Sequence, residues 1–186
     1  MGLDITFKRA KSDKYDKYNE AIDEWIKKEP KFYYADAPTE RRPYYNWHEG
    51  EKKKYSEWLN AQPDPEEYGI SECGYFRKVN FLLPYFGYTE NCEDLIVDID
   101  DLWTLKKFCN EILDAYKESE DASDEDEPWE TLANDLLPTE GGFFFGSTDY
   151  DEGYIQDVQE VRDWLNSLLV DGDVAEDEVV VMNCWW

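Results

Sequence analysis

Leu3, Ile5 and Phe7 alternate with Asp4, Thr6 and Lys8, and this period of two predicts an N-terminal strand over residues 3–8 with one buried face. The period then lengthens. Tyr15, Tyr18, Ile22, Trp25 and Ile26 recur at helical spacing between Asp13 and Glu29, and Pro30 marks the stop. Residues 32–47, rich in aromatics and broken by Pro38 and Pro43, read as a loop or edge-strand excursion. A second helix is expected over 48–61, presenting Tyr55, Trp58 and Leu59, with Pro63 and Pro65 beyond it. Residues 74–87 form the most hydrophobic stretch. Tyr75, Val79, Leu82, Leu83 and Phe86 suit a central helix packed on the sheet, kinked or shortened at Pro84.

Leu95–Val97 is a short expected strand, followed by a helix whose stripe is Leu102, Leu105, Cys109, Ile112, Leu113 and Tyr116, capped by Asp98 or Asp100. Residues 118–127 hold seven carboxylates and no basic residue, so they read as an exposed acidic loop that cannot repay the entropy of ordering. A helix through Trp129, Leu132, Ala133 and Leu136 should end at Pro138. Phe143–Phe145, bounded by glycines, has the pattern of a buried strand. Ser147 to Asp151 can cap the next helix, whose apolar positions are Ile155, Val158, Val161, Leu165 and Leu168. Val179 onward is a β-branched terminal strand. Four strands (3–8, 94–97, 143–145 and 179–185) among helices predict one α+β domain over 1–186. Its small, mostly antiparallel sheet should hold the two terminal strands near the centre.

Charge changes the picture. The chain carries a formal −26, with 15 Lys and Arg against 17 Asp and Glu through Cys92 and 4 against 28 after it. A field of that sign repels nucleic acid and anionic membranes and favours basic protein surfaces; it also serves solubility alone. Cys73, Cys92, Cys109 and Cys184 show no C-x-x-C spacing, so neither zinc nor a redox pair is signalled, and no cofactor is expected. The N-terminus shows no secretory pattern and no apolar run approaches 18 residues, so a cytoplasmic protein with reduced thiols and no membrane association is expected.

Three candidate chemistries follow. The Asp149, Asp151 and Glu152 corner could hold a divalent cation, but without EF-hand spacing it is expected to cap a helix. Arg77, Lys78 and Asn80 could recognise a phosphate or carboxylate if they face the turn holding Ser147 and Thr148; the blander expectation pairs Arg77 with Asp149 and Asp151. Gly141-Gly142 and Gly146 match no phosphate-loop motif, and His48 has no patterned nucleophile near it. Arg41, Arg42 and Lys52–Lys54, interleaved with Tyr44, Tyr45 and Trp47, hold the ingredients of a single-strand stacking surface. The overall charge opposes direct nucleic-acid binding.

The N-terminal MGLDI, the segment GYFRKVNFLLPYF, the Asn91-Cys92 pair and LLPTEGGFFFGSTDYDEGY at 136–154 resemble a family of small phage- and prophage-encoded proteins of unknown function. Its members open MGLDM and carry YWRKAN and LLPTxSGFFFGSTxYDExY stretches. This chain departs from that pattern at Phe76, Val79 and Pro84 and in its aromatic, basic N-terminal insertions. The resemblance implies a mobile-element accessory protein in a bacterial cytoplasm and carries no activity with it.

In that setting the acidic half suggests a non-enzymatic binder of a basic, nucleic-acid-binding host protein, an anti-defence inhibitor acting by nucleic-acid mimicry. Its expected face comprises Asp121, Asp124, Glu125, Asp126, Glu127 and Glu130, the corner Asp149, Asp151 and Glu152, and Asp171, Asp173, Glu176 and Asp177. The alternative is a small-molecule or nucleotide-binding protein that uses Arg77, Asn80, Ser147 and Thr148 with the acidic corner. A concave pocket joining those groups would favour the second.

Overall fold

Leu3, Ile5 and Phe7 are fully buried along one face of β1 (Asp4–Lys11) and just ahead of it, while the alternate positions stay partly open. The computed structural model describes residues 2–37, 39–87, 94–121, 129–142, 145–172 and 174–185. It divides the chain into two compact units, Met1–Arg9 with Ser71–Trp186, and Ala10–Ile70.

The first unit is built on a four-stranded sheet in the order β2-β1-β4-β3, with β2 at Ser71–Arg77, β3 at Leu95–Val97 and β4 at Glu178–Trp185. The terminal strands are neighbours at its centre, as expected; β1 with β2, and β3 with β4, run antiparallel. One face is apolar. Phe7, Phe76, Val97, Val180, Met182 and Cys184 pack there against α4 (Ile99–Asp121), α5 (Trp129–Leu136) and α6 (Glu152–Asn166). The stripes responsible are those the helical period picks out: Leu102, Leu105, Cys109 and Ile112 on α4, and Val158, Val161 and Leu165 on α6, all at 0% exposure. Asp98 supplies the cap of α4, its Oδ1 accepting the Asp100 N–H at 2.9 Å. The architecture is α+β, and no described helix is long and apolar enough to cross a membrane.

Three expected elements differ. The central helix over 74–87 is instead β2 followed by a short helix, α3 (Leu82–Phe86). Cys73 is the extra residue of a bulge where the register passes from Phe7↔Gly74 to Lys8↔Glu72, and its carbonyl accepts the Trp164 indole N–H at 2.6 Å. Gly74 lets that indole come close: a Cβ there would stand 2.5 Å from Trp164 Nε1. Val79, Phe81, Leu82 and Leu83 are buried on every side, and a run without a polar face shows no helical stripe to distinguish strand from helix. The second difference lies at 118–127, where residues 118–121 continue α4; residues 122–127 lie outside the described residues. In the third, Phe145 sits in a turn, its N–H donating to the Gly142 carbonyl at 3.1 Å, while Phe143 and Phe144 lie outside the described residues. The fourth strand of the sheet is therefore β2.

The second unit holds α1 (Ser12–Lys27) and α2 (Glu49–Leu59), joined through an extended excursion with a Tyr33↔Arg41 bridge. Trp25 and Trp58 clamp the two helices. Their rings stack at 4.1 Å and 3°, and each indole N–H donates 2.8 Å to the other residue's carbonyl. Phe32, Tyr44, Trp47 and Tyr55 form a second aromatic group of tilted and edge-to-face pairs.

Candidate functional site

Two stretches far apart in the chain meet in one cleft of about 340 Å³ within the first unit. The end of β2 and its continuation contribute Arg77, Lys78 and Asn80; the turn before α6 contributes Gly146, Ser147, Asp149 and Asp151; the exposed side of α6 contributes Gln156 and Asp157. Such a volume is at the small end of ligand pockets.

Each wall is pinned from beneath. Lys78 leaves the strand with φ at +65° while its N–H donates to the Leu3 carbonyl at 2.8 Å. Asn80 is 3% exposed, and its amide donates to the Ser147 carbonyl at 2.7 Å, tying the two stretches together. Gly146, at φ +96°, brings the turn against Lys78: a Cβ there would lie 3.3 Å from Lys78 Cβ. The turn is also held from behind. Thr139 Oγ1 donates to the Thr148 carbonyl at 3.0 Å, and the Tyr150 hydroxyl donates to Asn134 Oδ1 at 3.0 Å.

Asp151 caps α6, its Oδ1 accepting the Tyr154 N–H at 3.0 Å, a contact worth about 1 kcal/mol. The Ser147 hydroxyl donates to Asp149 Oδ2 at 3.1 Å and accepts the Asp149 N–H at the same distance. The cations are differently placed. Among the described residues neither Arg77 nor Lys78 forms an ion pair, so the expected pairing of Arg77 with Asp149 and Asp151 is absent. Asp4, opposite Arg77 in the ladder, instead accepts from the Tyr75 hydroxyl.

Half-burial, with the charges of Glu160 and Asp151 added, pushes Asp157 up to about 6. Burial likewise raises the Tyr154 hydroxyl, which donates to the Leu137 carbonyl at 3.0 Å. Burial pushes the Cys73 thiol up to about 11 and Cys109 up to about 12, so neither is a thiolate nucleophile at neutral pH.

Of the residues singled out in the sequence, Arg77, Asn80, Ser147, Asp149 and Asp151 line this cleft. Thr148 does not line it; its carbonyl is taken by Thr139. Glu152 is exposed on the first turn of α6, Glu130 is half-buried on α5, Asp171 is exposed at the end of the helical turn Ser167–Asp171, and Glu176 and Asp177 are exposed just before β4. Asp121 is the last residue of α4, and Asp124, Glu125, Asp126, Glu127 and Asp173 lie outside the described residues. Asp157 and Gln156 were not anticipated. Gly153, Gln156 and Asp157 recur at i, i+3 and i+4 beside the core stripe, so they share a face of α6, and that spacing was the available signal.

In the second unit Arg41 is engaged by Glu29 and Arg42 by Glu51, while Lys52 Nζ lies 5.9 Å over the Tyr44 ring. The arginines of the stacking surface thus already hold carboxylates.

Fold and site together define an α+β protein with a small polar cleft at one end of its sheet. Comparison of the chain with family models, with curated proteins and with solved structures found no match.

Proposed function

We propose that this chain binds a small polar molecule bearing an anionic group, in the cleft between the end of β2 and the first turns of α6. One observation carries the reading: Arg77 and Lys78, without ion-pair partners among the described residues, face a wall of hydrogen-bonding groups in a single concavity. Arg77 offers a planar fork and Lys78 a mobile ammonium to the anion, while Asp157, Gln156 and Ser147 meet hydroxyl or amine groups on the rest of the ligand. The two stretches that carry the resemblance to phage-encoded proteins, 74–80 and 136–154, supply most of this lining, which fits an accessory protein whose shared feature is a ligand site.

The test is a calorimetric panel of nucleoside monophosphates, sugar phosphates, amino acids and hydroxy acids. At least one class is expected to bind, with affinity falling tenfold or more in Arg77→Ala, since a charged hydrogen bond contributes about 1.5–3 kcal/mol. A panel without binding would overturn the reading.

Capture of a basic, nucleic-acid-binding host protein is a second reading, supported by the distribution of charge. Ala10–Ile70 carries 11 Lys and Arg against 14 Asp and Glu, and the remainder of the chain 8 against 31. Pull-down from host lysate at low and high salt tests it; retention of no nucleic-acid-binding protein at low salt would remove it.

A further inference from the structure

We infer that Lys78 and Arg77 form a two-cation seat for a phosphate monoester, and that the fold holds Lys78 in an unfavourable backbone conformation to build it. The inference rests on the cleft reading above and names its ligand.

A lysine at φ +65° occupies a region that glycine adopts freely and other residues rarely. A glycine there would serve the turn at least as well. What glycine lacks is the side chain, and the surroundings are shaped for that side chain. A Cβ on Gly2 would stand 3.1 Å from Lys78 Cε, and one on Gly146 would stand 3.3 Å from Lys78 Cβ. The aliphatic stem therefore runs between two positions, from distant parts of the chain, that carry no side chain.

The same Gly2 marks the place where the second cation arrives. Nε and Nη2 of Arg77 lie 3.8 Å from the position of that absent Cβ, so the guanidinium and the end of the Lys78 stem converge on one point. Two like charges brought together repel each other. Among the described residues none of the neighbouring carboxylates pairs with either cation: Asp4 accepts from the Tyr75 hydroxyl, Asp149 from Ser147 and Asp151 from the Tyr154 amide, while Asp157 lines the cleft from α6. The repulsion between the cations is relieved by an anionic group bound between them. A carboxylate would compensate one of the charges. A phosphate monoester, carrying close to two negative charges and three acceptor oxygens at neutral pH, compensates both and fills the arginine fork while leaving an oxygen for the ammonium. Gln156 and Asp157 then face the ester's body, where hydroxyls would hydrogen-bond to them.

Glycerol 3-phosphate and glycerate, a matched phosphate and carboxylate pair, serve as probes for calorimetry on the full chain and on Lys78→Gly and Lys78→Gln. The wild type is expected to bind glycerol 3-phosphate at least tenfold more tightly than glycerate. Lys78→Gly should melt about 2 °C higher through relief of the backbone while losing at least tenfold in phosphate affinity. Lys78→Gln should lose the affinity without the gain in melting temperature. Equal or better binding of glycerate overturns the inference and leaves the cleft reading standing. So does a Lys78→Gly variant that binds glycerol 3-phosphate as the wild type does, or that melts lower. Binding of neither probe, with other panel members bound, removes the phosphate seat alone; a panel without any binding removes both.

Discussion

At the scale of single residues, Asp157 is the carboxylate whose environment most changes its behaviour. Half-burial first, then Glu160 and Asp151, raise its folded-state value to about 6 from an ordinary 3.8. The folded protein therefore holds this proton more tightly than the unfolded chain does. Its contribution to stability is fully present below about pH 4 and is lost as the pH climbs through 6. Above that range the folded state carries a charged carboxylate in a site that disfavours it. Asp157→Asn should accordingly be more stable than the wild type at pH 7.5, by about 1 kcal/mol once its partial exposure is discounted, and equal to it near pH 4. Urea unfolding at the two pH values reads this directly. A stability difference independent of pH would mean that Asp157 titrates normally. Asp151, six residues earlier, has a structural part instead, accepting the Tyr154 N–H at the helix start.

The scale of the element is where sequence and structure part company, and the reasons are local. Helices with one polar face were legible: the stripes of α4 and α6 appear where spacing puts them, and the caps, Asp98 and Asp151, come from among the candidates Asp98 or Asp100 and Ser147 to Asp151. So was β1, whose alternation survives as alternating burial. β2 was not. Its neighbours Val79, Phe81, Leu82 and Leu83 are enclosed by the core on all sides, so the stretch offers apolar residues without a period, and a helix and a strand leave the same trace. Two distant features decide it for strand, Leu3–Phe7 offering a ladder and Trp164 fitting against Gly74. Neither can be read from residues 74–87 alone. That difference reaches the site, because a strand ending at Arg77 delivers Arg77 and Lys78 to one end of the sheet, whereas a helix through them would have spread them around its circumference. Arg77, Asn80, Ser147, Asp149 and Asp151 were identifiable by residue type, yet their convergence depends on Asn80 reaching the Ser147 carbonyl across 67 positions of sequence.

Across the whole molecule, the two units differ in what holds them. The continuous buried cluster is drawn from the first unit, from Leu3 through Cys184, with α4 and α6 supplying its most enclosed leucines and valines. The second unit buries Ala10, Tyr15, Trp47 and Ile70, and otherwise relies on half-exposed aromatics: the Trp25–Trp58 stack, the Tyr18–Tyr68 edge contact and the group around Trp47. Apolar burial stabilises at about 25 cal/mol per Å², and a segment near 60 residues buries the smaller share of its surface, so α1 and α2 belong to the less stable part of the chain. Cooperative opening need not involve all of a protein at once. Native-state hydrogen exchange should find the amides of α1 and α2 exchanging through an opening of lower free energy than those of α4 and α6. Trp25→Phe should lower it further by removing one indole donor and part of the stack, by about 1–2 kcal/mol, while α4 and α6 protection stays nearly unchanged. Exchange of all four helices at one common free energy, shifted together by Trp25→Phe, would show instead that the chain opens as a single cooperative body. The cleft, whose walls belong entirely to the first unit, would on the expected outcome keep its ligand affinity in Trp25→Phe, a result the same titration with glycerol 3-phosphate measures.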